Sequence, residues 1–202
     1  MKTDKAKPIK WSENIIIADA DYVDSVAFDL IVNFERMLGR PLPQADFSQW
    51  IVDVALDGNM RPGSHETQVV LLHDNSKSRM ENFNPSDYDG KLNGTAFKDG
   101  KLGEFIINSI AVDGKIANKE SSMSDLLHTV LGQQDVKRIM LIPDDDTRPA
   151  ISRLLRNADE DKHITLFAMQ PFEGGNFRQE ILGYSLMNAL GIRASEIDKL
   201  GQ

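Results

Sequence analysis

The sequence predicts an α/β fold: three layers, α/β/α, around a mostly parallel sheet of five strands, with an inserted β-hairpin. Three observations predict it. Short apolar runs at Ile15–Ala18, Thr67–His73, Glu104–Val112, Ile139–Ile142 and Ile164–Met169 have strand length and are bounded by turn residues. Segments with apolar residues at helical spacing separate most of these runs, the alternation that builds a parallel sheet covered by helices. The dipeptide Asp99-Gly100 between two β-rich arms is a hairpin signal.

Each element follows from its residues. Residues 1–12, M-K-T-D-K-A-K-P-I-K-W-S, read as a flexible polar lead-in without the apolar stretch of a secretory signal. Ile15, Ile16 and Ile17 form a run of β-branched residues suited to a strand buried on both faces. Asp24-Ser25 is expected to cap a helix carrying Val26, Ala27, Leu30, Ile31, Phe34, Met37 and Leu38, stopped by Gly39 and Pro41. Phe47–Leu56 carries Trp50, Ile51, Val54 and Ala55 at helical spacing. After the second strand, 74–89 is polar and predicts a long loop. The hairpin arms are Leu92–Lys98 and Lys101–Val112, joined by a type I′ turn. The second arm is apolar enough to enter the main sheet and the first is placed at an edge.

Asp113–Ser122 reads as a polar connection, Ser124-Asp125 as the cap of a helix with Leu126, Leu127, Val130 and Leu131, and Thr147–Asn157 as a helix with Pro149 in its first turn. Phe177–Leu190 is expected as the last long helix, with Tyr184 and Met187 in the core, followed by a short helix at 196–200. The pattern predicts one domain over residues 13–202, with 91–112 supplying the hairpin insertion and third sheet strand.

Composition bounds the function. A net charge of −8 argues against a broad basic face for nucleic acid, although acids gathered at one place and basic residues elsewhere give the same total. With no cysteine, disulfides and thiolate chemistry are excluded, and the chain is read as cytoplasmic. No apolar run approaches the roughly 18–20 residues of a membrane span. A homo-oligomer is left open. The four histidines show no metal-ligand spacing, and His73 alone falls near the expected crevice, as a hydrogen-bonded strand-end residue.

The chemistry points to carboxylates. The first strand ends in Asp19, Asp21 and Asp24, and the fourth in Asp144, Asp145 and Asp146. In open α/β sheets ligands bind outside the carboxyl ends of strands. Carboxylates there are the hard oxygen ligands that Mg²⁺ or Mn²⁺ uses, and equally the ordinary residues of caps and turns.

From Gly103 to Pro171 the chain resembles the second half of an NYN domain, a branch of the PIN-like metal-dependent ribonucleases. The matching features are the strand E-F-I-I-N-S-I-A-V, the helix start from Lys119 to Asp125, the strand D-V-K-R-I-M-L and its acidic end Asp144-Asp145-Asp146, with Pro149 at the matching offset. I-I-I-A-D-A-D-Y stands where that family has its first acidic strand end. The chain departs from the pattern at Ile142-Pro143, Thr147 and Tyr22, where the family has Ser-Gly, Phe and Asn. The resemblance implies a PIN-like, Rossmann-like strand order 3-2-1-4-5 and a divalent-metal-dependent phosphodiesterase acting on single-stranded RNA. Asp19 and Asp144 would be catalytic and principal metal ligands, and Asp21, Asp125 and Asp146 further metal-binding acids. Because an acidic chain must supply positive charge locally, Arg148 and Arg153 are expected to contact phosphate.

Two alternatives stand beside this. Asp19-Ala20-Asp21-Tyr22-Val23 also resembles the D-x-D-x-[TV] signature of haloacid-dehalogenase-like phosphatases, which implies Asp19 as nucleophile and Asp21 as general acid. A non-catalytic α/β binding or scaffold protein accommodates the same residues as caps and surface charge.

Overall fold

The computed structural model describes residues 10–156, 158 and 161–200. The lead-in expected over 1–12 therefore lies outside the described residues as far as residue 9, as does Asn157, the expected end of a helix. Where the chain becomes described it is anchored. Ser12 is buried, donating its hydroxyl to Glu66 (2.6 Å) and its N–H to Gln68 (3.0 Å).

The chain folds as an α/β protein with a mostly parallel central sheet. In order the elements are β1 (Asn14–Asp19), α1 (Ala20–Leu38), β2 (Ala45–Asp46), α2 (Phe47–Asp57), β3 (His65–Asp74), β4 (Phe83–Asn84), β5 (Thr95–Asp99), β6 (Gly103–Val112), α3 (Lys119–Leu131), β7 (Arg138–Ile142), α4 (Arg148–Leu155), β8 (His163–Ala168), β9 (Arg178–Ile181), α5 (Leu182–Ala189) and α6 (Ala194–Leu200). A single π-helical turn, Tyr88–Leu92, precedes β5, and β2 pairs with β4 in a separate two-stranded ribbon.

The main sheet has seven strands, ordered β5-β6-β3-β1-β7-β8-β9, so a five-stranded sheet is too small a description. All neighbouring pairs are parallel except β5 and β6. The five strands expected from the sequence are β6-β3-β1-β7-β8 within it. The hairpin arm β5 adds one edge and β9 the other. Strand β1 is the fourth of seven, with Ile16 opposite Val69 of β3 and Met140 of β7.

Because side chains alternate along a strand, the isoleucine run serves two cores at once. Ile16 and Ala18 join Val69, Leu71, Met140 and Ile142 beneath α1, α2 and α5. Ile15 and Ile17 join Val70, Leu72, Ile139 and Leu141 beneath α3 and α4. Every β1 residue is buried, which fixes the strand in place and with it the acids that end it.

Four element boundaries differ from expectation, each for a local reason. Helix α1 begins at Ala20 rather than after Asp24, because the Asp19 carboxylate accepts the Tyr22 N–H at 3.0 Å and caps the helix five residues early. Helix α3 begins at Lys119 rather than Asp125, with Asn118 accepting the Ser121 N–H at 2.7 Å as its cap. The turn after Asp99 is a three-residue loop. The Asp99 carboxylate accepts the N–H groups of Lys101 and Leu102, and positive φ falls on Gly103 (+94°), where a Cβ would lie 2.2 Å from the His65 carbonyl oxygen. The segment expected as the helix 177–190 starts as β9, paired with β8, and becomes helical at Leu182. Leu182, Leu186 and Leu190 are buried as expected, whereas Tyr184 is 68% exposed and not part of the core.

Candidate functional site at the carboxyl ends of the central strands

The buried run of β1 ends where α1 starts, with no intervening loop. Asp19 is therefore both the last strand residue and the helix cap, and is 1% exposed. Its Oδ1 accepts the Tyr22 N–H and, at 2.8 Å, the Lys119 ammonium. Asp21, in the first turn of α1, accepts the Asp74 N–H (2.8 Å) and the same ammonium (3.1 Å) on Oδ2. Its side chain is 9% exposed, Lys77 Nζ stands 3.5 Å from its Oδ1, and that oxygen is buried without a hydrogen bond among the described residues. Three elements thus meet: the end of β1, the end of β3 through Asp74, and the first residue of α3.

Burial pushes the Asp19 carboxyl above its ordinary range. The Lys119 hydrogen bond and charge and the Tyr22 N–H oppose that rise, and the charge of Asp144 adds to it. For Lys119, burial acts to weaken the ammonium, but the bond to Asp19 and the charges of Asp19 and Asp21 outweigh it and raise its pKa.

Strand β7 delivers the second acidic cluster beside the first. Asp144 accepts the Thr147 N–H (2.7 Å) and so forms the turn into α4, close enough to Asp19 for their charges to interact. Asp145 accepts the Tyr22 hydroxyl at 3.2 Å and pairs with Arg148. Asp24 is neither a helix cap nor a ligand in this crevice. It accepts the N–H groups of Glu81 (3.0 Å) and Asn82 (2.8 Å) and holds the loop after β3 against α1.

Of the acids named from the sequence, Asp19 and Asp21 converge on one cation and Asp144 stands alongside. Asp146 is exposed in the turn, and Asp125 is exposed partway along α3. Among the described residues no group of three or more His, Cys, Asp or Glu side chains is placed to hold a metal ion. Arg148 and Arg153 lie together on α4.

Residue-type reasoning missed Lys119 as a site residue because its segment reads as a polar connection. The one signal was its place at the helix start quoted in the family resemblance. It also missed Tyr88. The Tyr88 ring stacks on the buried His73 imidazole at 3.7 Å with 9° between planes, and its hydroxyl is buried without a hydrogen bond among the described residues. Burial, then the charges of Asp21, Asp24 and Asp19, raise its pKa.

The fold and this crevice define an α/β protein with a paired-carboxylate centre at the carboxyl end of its middle strand. Residues 8–197 match a family described as a family of unknown function, DUF6621, and the chain belongs to that family. Neither curated proteins nor solved structures give a match. No described helix is long and apolar enough to cross a membrane.

Proposed function

We propose that this protein is a divalent-metal-dependent phosphodiesterase of the PIN/NYN-like kind, acting on single-stranded RNA at the crevice where β1, β3 and β7 end. The observation that carries the reading is the single cation position that Asp19 and Asp21 share, occupied by the Lys119 ammonium at 2.8 and 3.1 Å, with Asp144 alongside.

The residues fit Mg²⁺ or Mn²⁺ in one definite way. Magnesium sites often take only one or two carboxylates from the protein, completing the shell with water and substrate phosphate oxygens. Asp19 and Asp21 supply that pair, and Asp21 Oδ1, buried without a hydrogen bond among the described residues and with the Lys77 ammonium no nearer than 3.5 Å, is an oxygen that a bound ion would satisfy. Asp125 and Asp146 take no part in this arrangement. When bound, the ion supplies Lewis-acid polarisation of the phosphoryl group and a more acidic water.

The protein's own groups have separable tasks. Asp19, fixed by the Tyr22 N–H, would hold the ion without reorganising during reaction. Lys119 neutralises the carboxylate pair in the resting state and offers its ammonium to a phosphoryl oxygen when substrate enters. Asp144, with one oxygen held by the Thr147 N–H, presents the other to an attacking water. Arg148 sets the backbone phosphate at the crevice edge.

A second reading is favoured by one of these contacts. An aspartate nucleophile in a phosphatase needs a cation beside it to offset phosphoryl charge, and Lys119 stands so beside Asp19, with Asp21 two residues on as general acid. The immediate start of α1 at Ala20 leaves no loop to cover a phosphoryl group, which places this reading second.

The test is cleavage of mixed-sequence RNA oligonucleotides with Mn²⁺ by the wild type, Asp19→Asn and Asp144→Asn. The expected result is metal-dependent cleavage in the wild type, reduced at least about a hundredfold in Asp19→Asn, the scale seen when a group stabilising transition-state charge is removed. Monoester hydrolysis without diester cleavage, with a hydroxylamine-trappable phosphoenzyme, would favour the phosphatase. Neither activity in the wild type would leave a binding protein.

A further inference from the structure

Between α4 and the loop after β8 lies a cleft of about 400 Å³, lined by Arg148, Ser152, Arg153, Arg156 and Phe172. Arg148, Ser152 and Arg156 recur every fourth residue and fall on one face of α4 and its C-cap. Three guanidinium groups face two carboxylates there, Asp145 and Glu173, in a chain whose net charge is −8. The balance at this place is therefore positive although the chain as a whole is acidic.

The wall is built rather than incidental. The Arg148 guanidinium lies over the Phe172 ring, 5.2 Å from its centroid, and pairs with Asp145 on its other side. The Phe172 backbone is clasped by Gln179, which accepts its N–H (3.3 Å) and donates to its carbonyl (3.1 Å). So held, Arg148 leaves its Nε buried without an acceptor among the described residues, and Ser152 Oγ, one turn along the helix, is buried without a partner as well. Buried polar groups are nearly always satisfied in folded proteins. Both atoms lie beneath the cleft surface, so the groups that a ligand meets there are the exposed Arg153 and Arg156 guanidinium ends and the part of the Arg148 side chain, 16% exposed, that reaches the surface. A chain of hydrogen bonds joins the cleft wall to the crevice, since Asp145 accepts from the Tyr22 hydroxyl and the Tyr22 N–H is bound by Asp19.

We propose that this cleft seats a second phosphate of the RNA backbone, next along the strand from the one at Asp19 and Asp21. The accessible part of the Arg148 guanidinium donates to its oxygens, and Arg153 and Arg156 close over it from the exposed side. The inference rests on the RNA-directed reading above but concerns binding, which needs neither metal nor catalysis.

The test is fluorescence anisotropy with a labelled, cleavage-resistant 2′-O-methyl RNA hexamer in EDTA, with increasing salt. The variants are Arg153→Ala/Arg156→Ala, whose side chains are exposed so that folding is spared, Arg148→Lys, and Lys98→Ala on the edge strand β5 as a control for loss of a cation elsewhere. The expected result is binding by the wild type and Lys98→Ala, weakened about tenfold in the double variant. The slope of log K against log salt should become shallower by about 0.7, one single-strand phosphate contact. Arg148→Lys should weaken binding while keeping the charge, because a lysine lacks the fork. Unchanged affinity and slope in the double variant would overturn the proposal, as would no binding by the wild type. Inorganic phosphate competing as tightly as the hexamer would overturn it too, by assigning the cleft to free phosphate. Arginine-dependent binding without any cleavage would uphold this cleft and remove the hydrolase reading. Asp19-dependent cleavage with KM unmoved by the arginine changes would do the reverse.

Discussion

Lys119 Nζ lies 2.8 Å from Asp19 Oδ1, closing a contact between residues 100 positions apart and joining the first turn of α3 to the end of the central strand. The same ammonium reaches Asp21, which Lys77 also approaches at 3.5 Å, so one cation bridges two sequestered carboxylates.

Lys119→Met should therefore be costly at neutral pH. It strands the carboxylate of Asp19 in a buried setting, and losing one partner of a buried pair costs about 3 kcal/mol or more. The penalty should shrink in acid, because Asp19 takes up a proton as pH falls through its raised pKa and no charge is then left unpaired. Urea denaturation of both proteins across pH measures this. A loss under about 1 kcal/mol at neutral pH, the size of an exposed ion pair, would show that the contact does not bear on stability.

A second group sets an opposite slope. Asp57, the last residue of α2, has its pKa raised to about 6 by burial, then by the charges of Glu180 and Asp53, with Arg178 partly offsetting. A carboxyl raised in the folded state favours folding fully below its unfolded pKa, and that contribution is lost as pH rises through about 6. Asp57→Asn should accordingly stabilise the protein by about 1–2 kcal/mol near pH 8, after allowance for partial solvent screening, and by almost nothing near pH 4. Thermal melts at the two pH values decide it. An equal gain at both would assign the effect to something other than charge.

Tyr88 supplies a third. Its ring is stacked on His73 and its hydroxyl has no hydrogen bond among the described residues. Deleting an unsatisfied buried hydroxyl removes a desolvation cost, so Tyr88→Phe should leave stability unchanged or raise it by about 1 kcal/mol. Tyr88→Leu, which breaks the stack, should lower it. A marked loss in the phenylalanine variant would mean that the hydroxyl is bonded in solution.

How far these features were legible in the sequence follows from their physical range. The isoleucine run announced a doubly buried strand because β-branched residues without polar interruption have few other uses, and β1 occupies the middle of the sheet. The segment Arg178–Ile181 concealed a strand because Arg-Gln-Glu-Ile carries no alternation and its pairing comes from β8 alone. Asp19 and Asp24 exchanged roles: both are short acids before a helical pattern, and only the geometry shows that Asp19 caps α1 while Asp24 holds a loop. Asp125 was expected at a helix start, but the cap at Asn118 moves that start six residues upstream and leaves Asp125 facing solvent. The Asp19–Lys119 pair has no local signature, since nothing near either residue encodes the register of the other.

The most direct measurement is calorimetric titration of Mn²⁺ into the wild type and the Asp19→Asn/Asp21→Asn variant, with thermal melting followed in parallel. One ion should bind per wild-type chain in the micromolar to millimolar range and raise the melting temperature by mass action, and the variant should show neither effect. A wild type that gives no binding heat and an unshifted melt through millimolar Mn²⁺ would contradict the shared cation site, leaving Asp19 and Asp21 as partners of Lys119, Lys77 and backbone N–H groups.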